Sequence, residues 1–202
     1  MITKQDARNK KLRQRDLIPL PTRCQKSRLI CDQFAIEIDE LTEQIPCEQR
    51  RFAAYKPMRS EVDVHPLLDH CYRRGWAVYL PCMVKETAET PAHMVFFAIP
   101  QKRLRTDRPA FLDHPAKPYL MQDLAAEGWE AADVSTFRAV AVPMVAFDDD
   151  NMRLGYGGGN YDRFLPQLSP NCFVAGVAFE EQRADHVPTE PHDLALPTIF
   201  TA

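Results

Sequence analysis

Four of the chain's seven glycines fall within five residues, at 155 and 157–159, in the run Arg153-Leu154-Gly155-Tyr156-Gly157-Gly158-Gly159-Asn160-Tyr161-Asp162-Arg163. Glycine lacks a Cβ, so closely spaced glycines let backbone N–H groups converge where side chains would obstruct them. A helix is expected directly after the run, and its first turn would add unpaired N–H groups and the positive end of a dipole. Arg153 and Arg163 set fixed cations beside the glycines, and Asp162 adds a carboxylate suited to a hard metal ion. These are the parts of a phosphate cradle. A flexible surface loop is the plainer reading, but a linker would favour small polar residues over this charged pattern.

The known glycine motifs do not fit. A dinucleotide fingerprint starting at Gly155 or Gly157 needs glycine or alanine five residues on, where the chain has Asn160 and Asp162. A Walker loop needs Gly-Lys-Ser/Thr, which does not follow. Asp148-Asp149-Asp150-Asn151 suggests a calcium loop, but the late glutamate is missing and the run reads as a polar turn.

Other charged residues admit two readings on spacing alone. Lys4 and Arg8 are four residues apart and would share a helix face, able to reach a polyphosphate together. Lys11 and Arg15 continue that stripe, and spacing by itself favours a solvated basic face. Asp162 is either a helix cap or a metal ligand. Glu61 is either an acid ahead of a helix starting near Pro66 or a carboxylate free to accept donors from a ligand.

Holding these residues together takes alternating strands and helices. Apolar spacing predicts helices over 2–16 and 25–45, the second carrying Ile30, Phe34 and Ile38. A helix is expected over 66–74, and strands over 52–55, 76–80, 94–99, 138–142 and 173–179, the second of them closed by Pro81. Residues 100–118, rich in proline and cations, read as a long irregular crossing. The pattern implies a three-layer α/β fold, a mainly parallel sheet flanked by helices in a Rossmann-like single domain over 1–202. Ligands in such sheets bind beyond the carboxyl ends of strands, and the glycine run follows the strand ending at Pro143.

Composition narrows the function classes. A chain of 202 residues, 45% hydrophobic, can bury a substantial core. Its net charge of −3 implies no nucleic-acid-binding surface. The basic N-terminal stretch lacks a signal-peptide core and no apolar run approaches membrane-spanning length, so a soluble cytoplasmic protein without a membrane partner is expected. Six dispersed cysteines read as reduced, mostly buried thiols rather than a zinc or disulfide scaffold. No nucleophile-elbow motif is present.

The segments Pro143 to Asp148, Arg153 to Gly159 and Tyr161-Asp162-Arg163 resemble the signature of the 5-formyltetrahydrofolate cyclo-ligase family, also called methenyltetrahydrofolate synthetases. The likeness continues in order through Lys4-Gln5-Asp6-Ala7-Arg8, Glu61-Val62-Asp63, Gly75 to Pro81, and Val187-Pro188 with His192-Asp193. It implies a ligase dependent on ATP and Mg²⁺ that converts 5-formyltetrahydrofolate into 5,10-methenyltetrahydrofolate, releasing ADP and phosphate. The formyl oxygen takes the γ-phosphoryl group, nitrogen 10 attacks the formyl carbon, and phosphate leaves as the ring closes. The protein's share is positioning and charge neutralisation.

The resemblance also distributes roles. Lys4 and Arg8 become nucleotide-binding residues, reversing the preference from spacing. Arg153, Leu154, Gly155, Tyr156, Gly157, Gly158, Gly159, Asn160 and Tyr161 carry the triphosphate, with Arg153 and Tyr161 catalytic. Lys56 and Glu61 contact the folate, Glu61 facing the pterin's adjacent donors, and Tyr156 to Asn160 lie against both ligands. Asp162 and Asp193 hold Mg²⁺, and a monomer is expected. The chain departs from the family pattern at Asn160, usually aromatic, at Met144, commonly glycine, at Arg138, often aspartate, and at Ala116-Lys117-Pro118, where Glu-Pro is usual. A divergent relative that binds nucleotide and folate with little catalysis is the alternative. An isomerase or acyl-CoA transferase of similar architecture, needing a catalytic glutamate and no ATP, is a third reading.

Overall fold

Thr3 and Asp6 exchange side-chain and backbone hydrogen bonds in both directions, a capping box that starts helix α1 (Lys4–Asp16). The computed structural model describes residues 3–190 and 193–202, so residue 2 of the expected first helix and His192 of the expected C-terminal motif lie outside the described residues. Helix α2 (Leu20–Gln44) begins earlier than the expected residue 25, because Pro21 sits in its first turn, where a missing N–H costs nothing. Its buried row Ile30, Phe34 and Ile38 faces the sheet.

The chain then alternates: β1 (Arg51–Ala53), α3 (His65–Arg73), β2 (Ala77–Lys85) and β3 (His93–Ala98). The proline-rich crossing is less irregular than expected, since it contains α4 (Gln101–Arg105) and α5 (Ala110–Asp113). Next come β4 (Tyr119–Leu120), α6 (Met121–Ala126), β5 (Ala139–Pro143), β6 (Ala146–Phe147), β7 (Arg153–Leu154), α7 (Asn160–Phe164), β8 (Phe173–Ala178) and β9 (Thr198–Thr201). Among the described residues, seven strands form one sheet in the order β3-β2-β1-β5-β8-β9, with β4 beside the far end of β2. Among the described residues of this sheet, only β3 runs antiparallel to its neighbour. Strands β6 and β7 make a separate antiparallel pair. The sheet is therefore mainly parallel and layered, as expected, with β9 an edge strand that the sequence reading lacked.

Successive residues alternate between two cores. Phe52, Ala139, Ala141, Ala175 and Val177 join the face covered by α2 and α3. Ala53, Val140, Val142 and Ala178 join the face with Phe96 and Phe164. Phe34 of α2 meets the rings of Phe52, Phe173 and Phe200 at 5.4–5.6 Å, tying the helix to three strands. On the opposite face Gly176 leaves room for neighbours: a Cβ there would lie 2.3 Å from Met144 Cε and 2.9 Å from Leu196 Cδ1.

Pro81 does not end β2, which runs on to Lys85. Ala77 N–H and Tyr79 C=O bond toward β1, whereas Val78 C=O bonds toward β3. Alternation therefore turns the Pro81 nitrogen to the β1 side, where β1 has already stopped at Ala53. On that edge β2 finds its next partner, β4, only at Val84. The interval between is an opening in the sheet.

No helix among the described residues is long and apolar enough to cross a membrane. All six cysteines are free, but only Cys31, Cys71 and Cys82 are buried, so the expectation of mostly buried thiols holds for half of them.

Candidate active site

That opening leads into a cleft of about 440 Å³, walled by Tyr55 and Lys56 beyond β1, Pro81 to Met83 of β2, Pro143 of β5 and the glycine run. It lies past the carboxyl ends of the strands. Every residue expected at the site lines it: Lys4, Arg8, Lys56, Glu61, the run from Arg153 to Asp162, and Asp193.

The glycine run is held from outside. Arg8 Nε donates to Gly155 O at 2.8 Å, and its guanidinium lies against Gly157, where a Cβ would come within 3.3 Å of Arg8 Cζ. Gly157 has φ +100, a conformation that other residues rarely adopt. Arg163 Nη2 donates to Gly158 O and to Asn160 Oδ1, both at 2.8 Å. Among the described residues, the amides of 155–159 donate to no carbonyl or side chain. The helix that follows, α7, is only five residues long and starts from Gly159 without a side-chain cap.

Asp162 is accordingly not a capping residue. Its Oδ1 accepts from Arg153 Nη2 at 2.6 Å, and the Arg153 side chain is 4% exposed. Arg153 Nε is buried with no hydrogen-bond partner among the described residues, and its guanidinium carbon lies 5.9 Å from the Tyr161 ring centre. Burial, reinforced by the nearby Glu61 charge, pushes the Tyr161 phenol far up, so it remains protonated. At the cleft edge Lys4 Nζ reaches Asp193 Oδ2 at 2.6 Å and Glu190 Oε2 at 2.8 Å. Burial works against that ammonium, but these two partners outweigh it and raise its pKa. No cluster of three or more His, Cys, Asp or Glu that could hold a metal is present among the described residues.

Glu61 lines the same cleft, 8% exposed. It folds back on its own turn, where Oε2 accepts from Met58 N at 2.8 Å. Burial raises its pKa, although the Met58 amide, Arg15 and the Tyr156 hydroxyl pull the other way. It does not head α3, whose first turn holds no acid. The residue preparing that helix is Asp63, which accepts from His65 N at 3.0 Å and from His65 Nδ1 at 2.5 Å. Lys56 Nζ lies 3.2 Å from His65 Nε2, and burial, then the Arg108 charge, lowers its pKa.

The basic stripe of α1 turns inward, against the solvated reading that spacing favoured. Besides Lys4 and Arg8, Lys11 Nζ donates to Glu181 O at 3.2 Å and also contacts Arg183 O. Arg15, 1% exposed, is among the largest fully buried side chains. The helix has almost no apolar residue to bury, so its cations meet carbonyls and carboxylates instead.

The sequence pattern of the 5-formyltetrahydrofolate cyclo-ligase family matches residues 2–202. The chain belongs to this family. The 5-formyltetrahydrofolate cyclo-ligase of Mycolicibacterium smegmatis is 31% identical over 152 residues, 75% of this chain and 73% of that protein. The Escherichia coli K12 protein of the same name is 29% identical over 150 residues, 74% of this chain and 76% of its own. A 5,10-methenyltetrahydrofolate synthetase from Mycoplasma pneumoniae shares the fold with a TM-score of 0.67 at 20% identity, covering 98% of this chain and 97% of that one. The synthetase from Aquifex aeolicus gives 0.61 at 21%, covering 98% and 89%.

Departures from the cyclo-ligase pattern have visible settings. Asn160 is fastened between Met83 Sδ, 3.5 Å from its Nδ2, and Arg163. Met144 fills the space that Gly176 leaves. Arg138 Nη2 donates to Gln49 Oε1 at 2.9 Å on the surface. Ala116 lines the cleft although the Glu-Pro pair is missing. Cleft residues that the sequence reading missed include Tyr55, Met83 and Glu190; only Glu190, three positions before Asp193, carried a signal.

Proposed function

We infer that the chain is an ATP-dependent cyclo-ligase that converts 5-formyltetrahydrofolate into 5,10-methenyltetrahydrofolate with release of ADP and phosphate. The observation that carries this reading is one cleft that brings together loop amides and an Arg153 Nε uncommitted among the described residues, with buried Glu61 in the same wall. Amides converging on a concave loop, backed by a guanidinium, suit a polyphosphate. A buried carboxylate with one backbone donor already in place suits the adjacent N–H donors of a pterin.

The Mg²⁺ set is part of the proposal. Asp162 and Asp193 line the same cleft, each beside a cation, with no third ligand among the described residues forming a cage. Mg²⁺ takes one or two carboxylates and fills its remaining positions with water and phosphate oxygens, so two carboxylates fit an ion that arrives with ATP. When bound, ATP with Mg²⁺ supplies the phosphoryl group that turns the formyl oxygen into a leaving group. The chain's residues do the rest by placement. Arg8 holds the loop open through Gly155, Arg153 and the loop amides neutralise charge as phosphate oxygens shift, and Lys4 contributes at the rim. Glu61 and Lys56 orient the folate so that nitrogen 10 faces the formyl carbon. Protonated Tyr161 acts as a donor, not a base. The same reading makes the protein a cytoplasmic monomer working on small molecules.

The test mixes protein, 5-formyltetrahydrofolate, ATP and Mg²⁺ and follows methenyl product by absorbance. Turnover that stops without ATP is the expected result. Asn160, which offers no ring for stacking, favours the binding-only alternative; ATP binding without turnover would select that alternative and overturn the ligase.

A further inference from the structure

Arg15 makes three contacts from a fully buried position. Nε donates to Ser60 Oγ at 3.0 Å, Nη1 to Met144 O at 3.4 Å, and Nη2 to the Tyr156 hydroxyl at 2.6 Å. Its guanidinium carbon also stands 5.7 Å from the Tyr156 ring centre. Ser60 Oγ in turn donates to Asp16 Oδ1. The three direct partners come from the turn before α3, the residue after β5 and the glycine run. Arg15 itself does not line the cleft.

The Tyr156 hydroxyl accepts from Arg15, which leaves its own proton to turn toward the cleft that Glu61 also lines. Ser60 is the residue before Glu61, so the Arg15 fork grips the carboxylate's own turn as well as the Tyr156 hydroxyl. A planar fork with five donors can serve three segments at once; an ammonium cannot match that geometry.

We propose that Arg15 is a positioning residue for the folate end of the cleft, fixing Glu61 through Tyr156 and Ser60 without touching either substrate. This rests on the cyclo-ligase reading, in which Glu61 receives the pterin. Lys4 and Arg8 on the same helix address the nucleotide, so α1 serves one substrate at its start and the other at its end.

Steady-state kinetics of Arg15→Lys, Tyr156→Phe and the double variant test it. Arg15→Lys and Tyr156→Phe should each raise the KM for 5-formyltetrahydrofolate about tenfold, equivalent to about 1.4 kcal/mol. The KM for ATP should move less than about twofold, and the double variant should be no worse than Arg15→Lys alone. A purely structural residue would instead lower thermal stability and the active fraction with both KM values unchanged. If Arg15→Lys does not fold, Ser60→Ala, which removes one anchor outside the cleft, should raise the folate KM about threefold. An unchanged folate KM, equal shifts in both KM values, or multiplying effects would overturn the positioning role while the parent still turns over. A parent without turnover would overturn the cyclo-ligase reading itself, and this inference with it.

Discussion

Arg153 and Asp162 form an ion pair of 2.6 Å in which the guanidinium is nearly inaccessible and the carboxylate is one-quarter exposed, so the acid is the member that can also face a ligand. Asp162→Asn keeps an acceptor for Arg153 and removes the charge a divalent ion needs. Turnover at saturating substrate should fall roughly 100-fold or more, since a metal contributes several kcal/mol of charge stabilisation. Stability should fall by only about 1–3 kcal/mol. Mg²⁺ titration of the rate beside thermal unfolding reads both, and an unaltered Mg²⁺ requirement would remove Asp162 from the metal set.

Glu61 sets stability against function. Burial raises its pKa in the folded protein, so the proton is held more tightly there than in the unfolded chain. The stabilisation linked to it is complete below the unfolded pKa and is lost as pH rises through the folded one. Glu61→Gln should therefore be at least as stable as the parent at neutral pH, while its folate KM rises roughly tenfold or more. In the parent, folate KM should climb as pH falls through the raised pKa; the glutamine variant should lack that limb. A destabilised variant with normal folate KM would contradict both expectations.

Gly157→Ala brings a methyl group against Arg8 at a backbone angle of φ +100. A stability loss exceeding about 1 kcal/mol is expected. The KM for ATP should rise about tenfold, as one charge-assisted contact is displaced, with folate KM nearly unchanged. Comparing the two KM values checks this.

Gly176→Ala should cost about 1–3 kcal/mol in urea unfolding, because the new Cβ meets Met144 and Leu196 inside van der Waals distance. Adding Met144→Ala should return part of that loss, with a coupling of about 0.5–3 kcal/mol across the cycle. Strict additivity would show that the two side chains do not share the space.

Much of this architecture was legible from residue types. Continuous apolar runs gave β3, β5 and β8, and the glycines with their flanking charges marked the cleft wall before any geometry was known. The inward turn of α1 was not legible from spacing, because Lys4, Arg8, Lys11 and Arg15 have the pattern of a wet face; the family likeness reversed that for Lys4 and Arg8, and tertiary partners such as Ser60 and Glu181 reverse it for Arg15 and Lys11. Strand β9 escaped notice because four half-buried residues behind a polar stretch leave little periodicity to read. Pro81 misled for a local reason: a missing N–H ends a strand only where a neighbour is waiting for it.

Pro81 also bears on how the cleft exists at all. A ring nitrogen carries no hydrogen under any condition, so β1 and β2 cannot zip one rung further when the cavity empties. The aperture is thus built into covalent chemistry rather than propped apart by an occupant, and entering molecules meet a doorway already ajar.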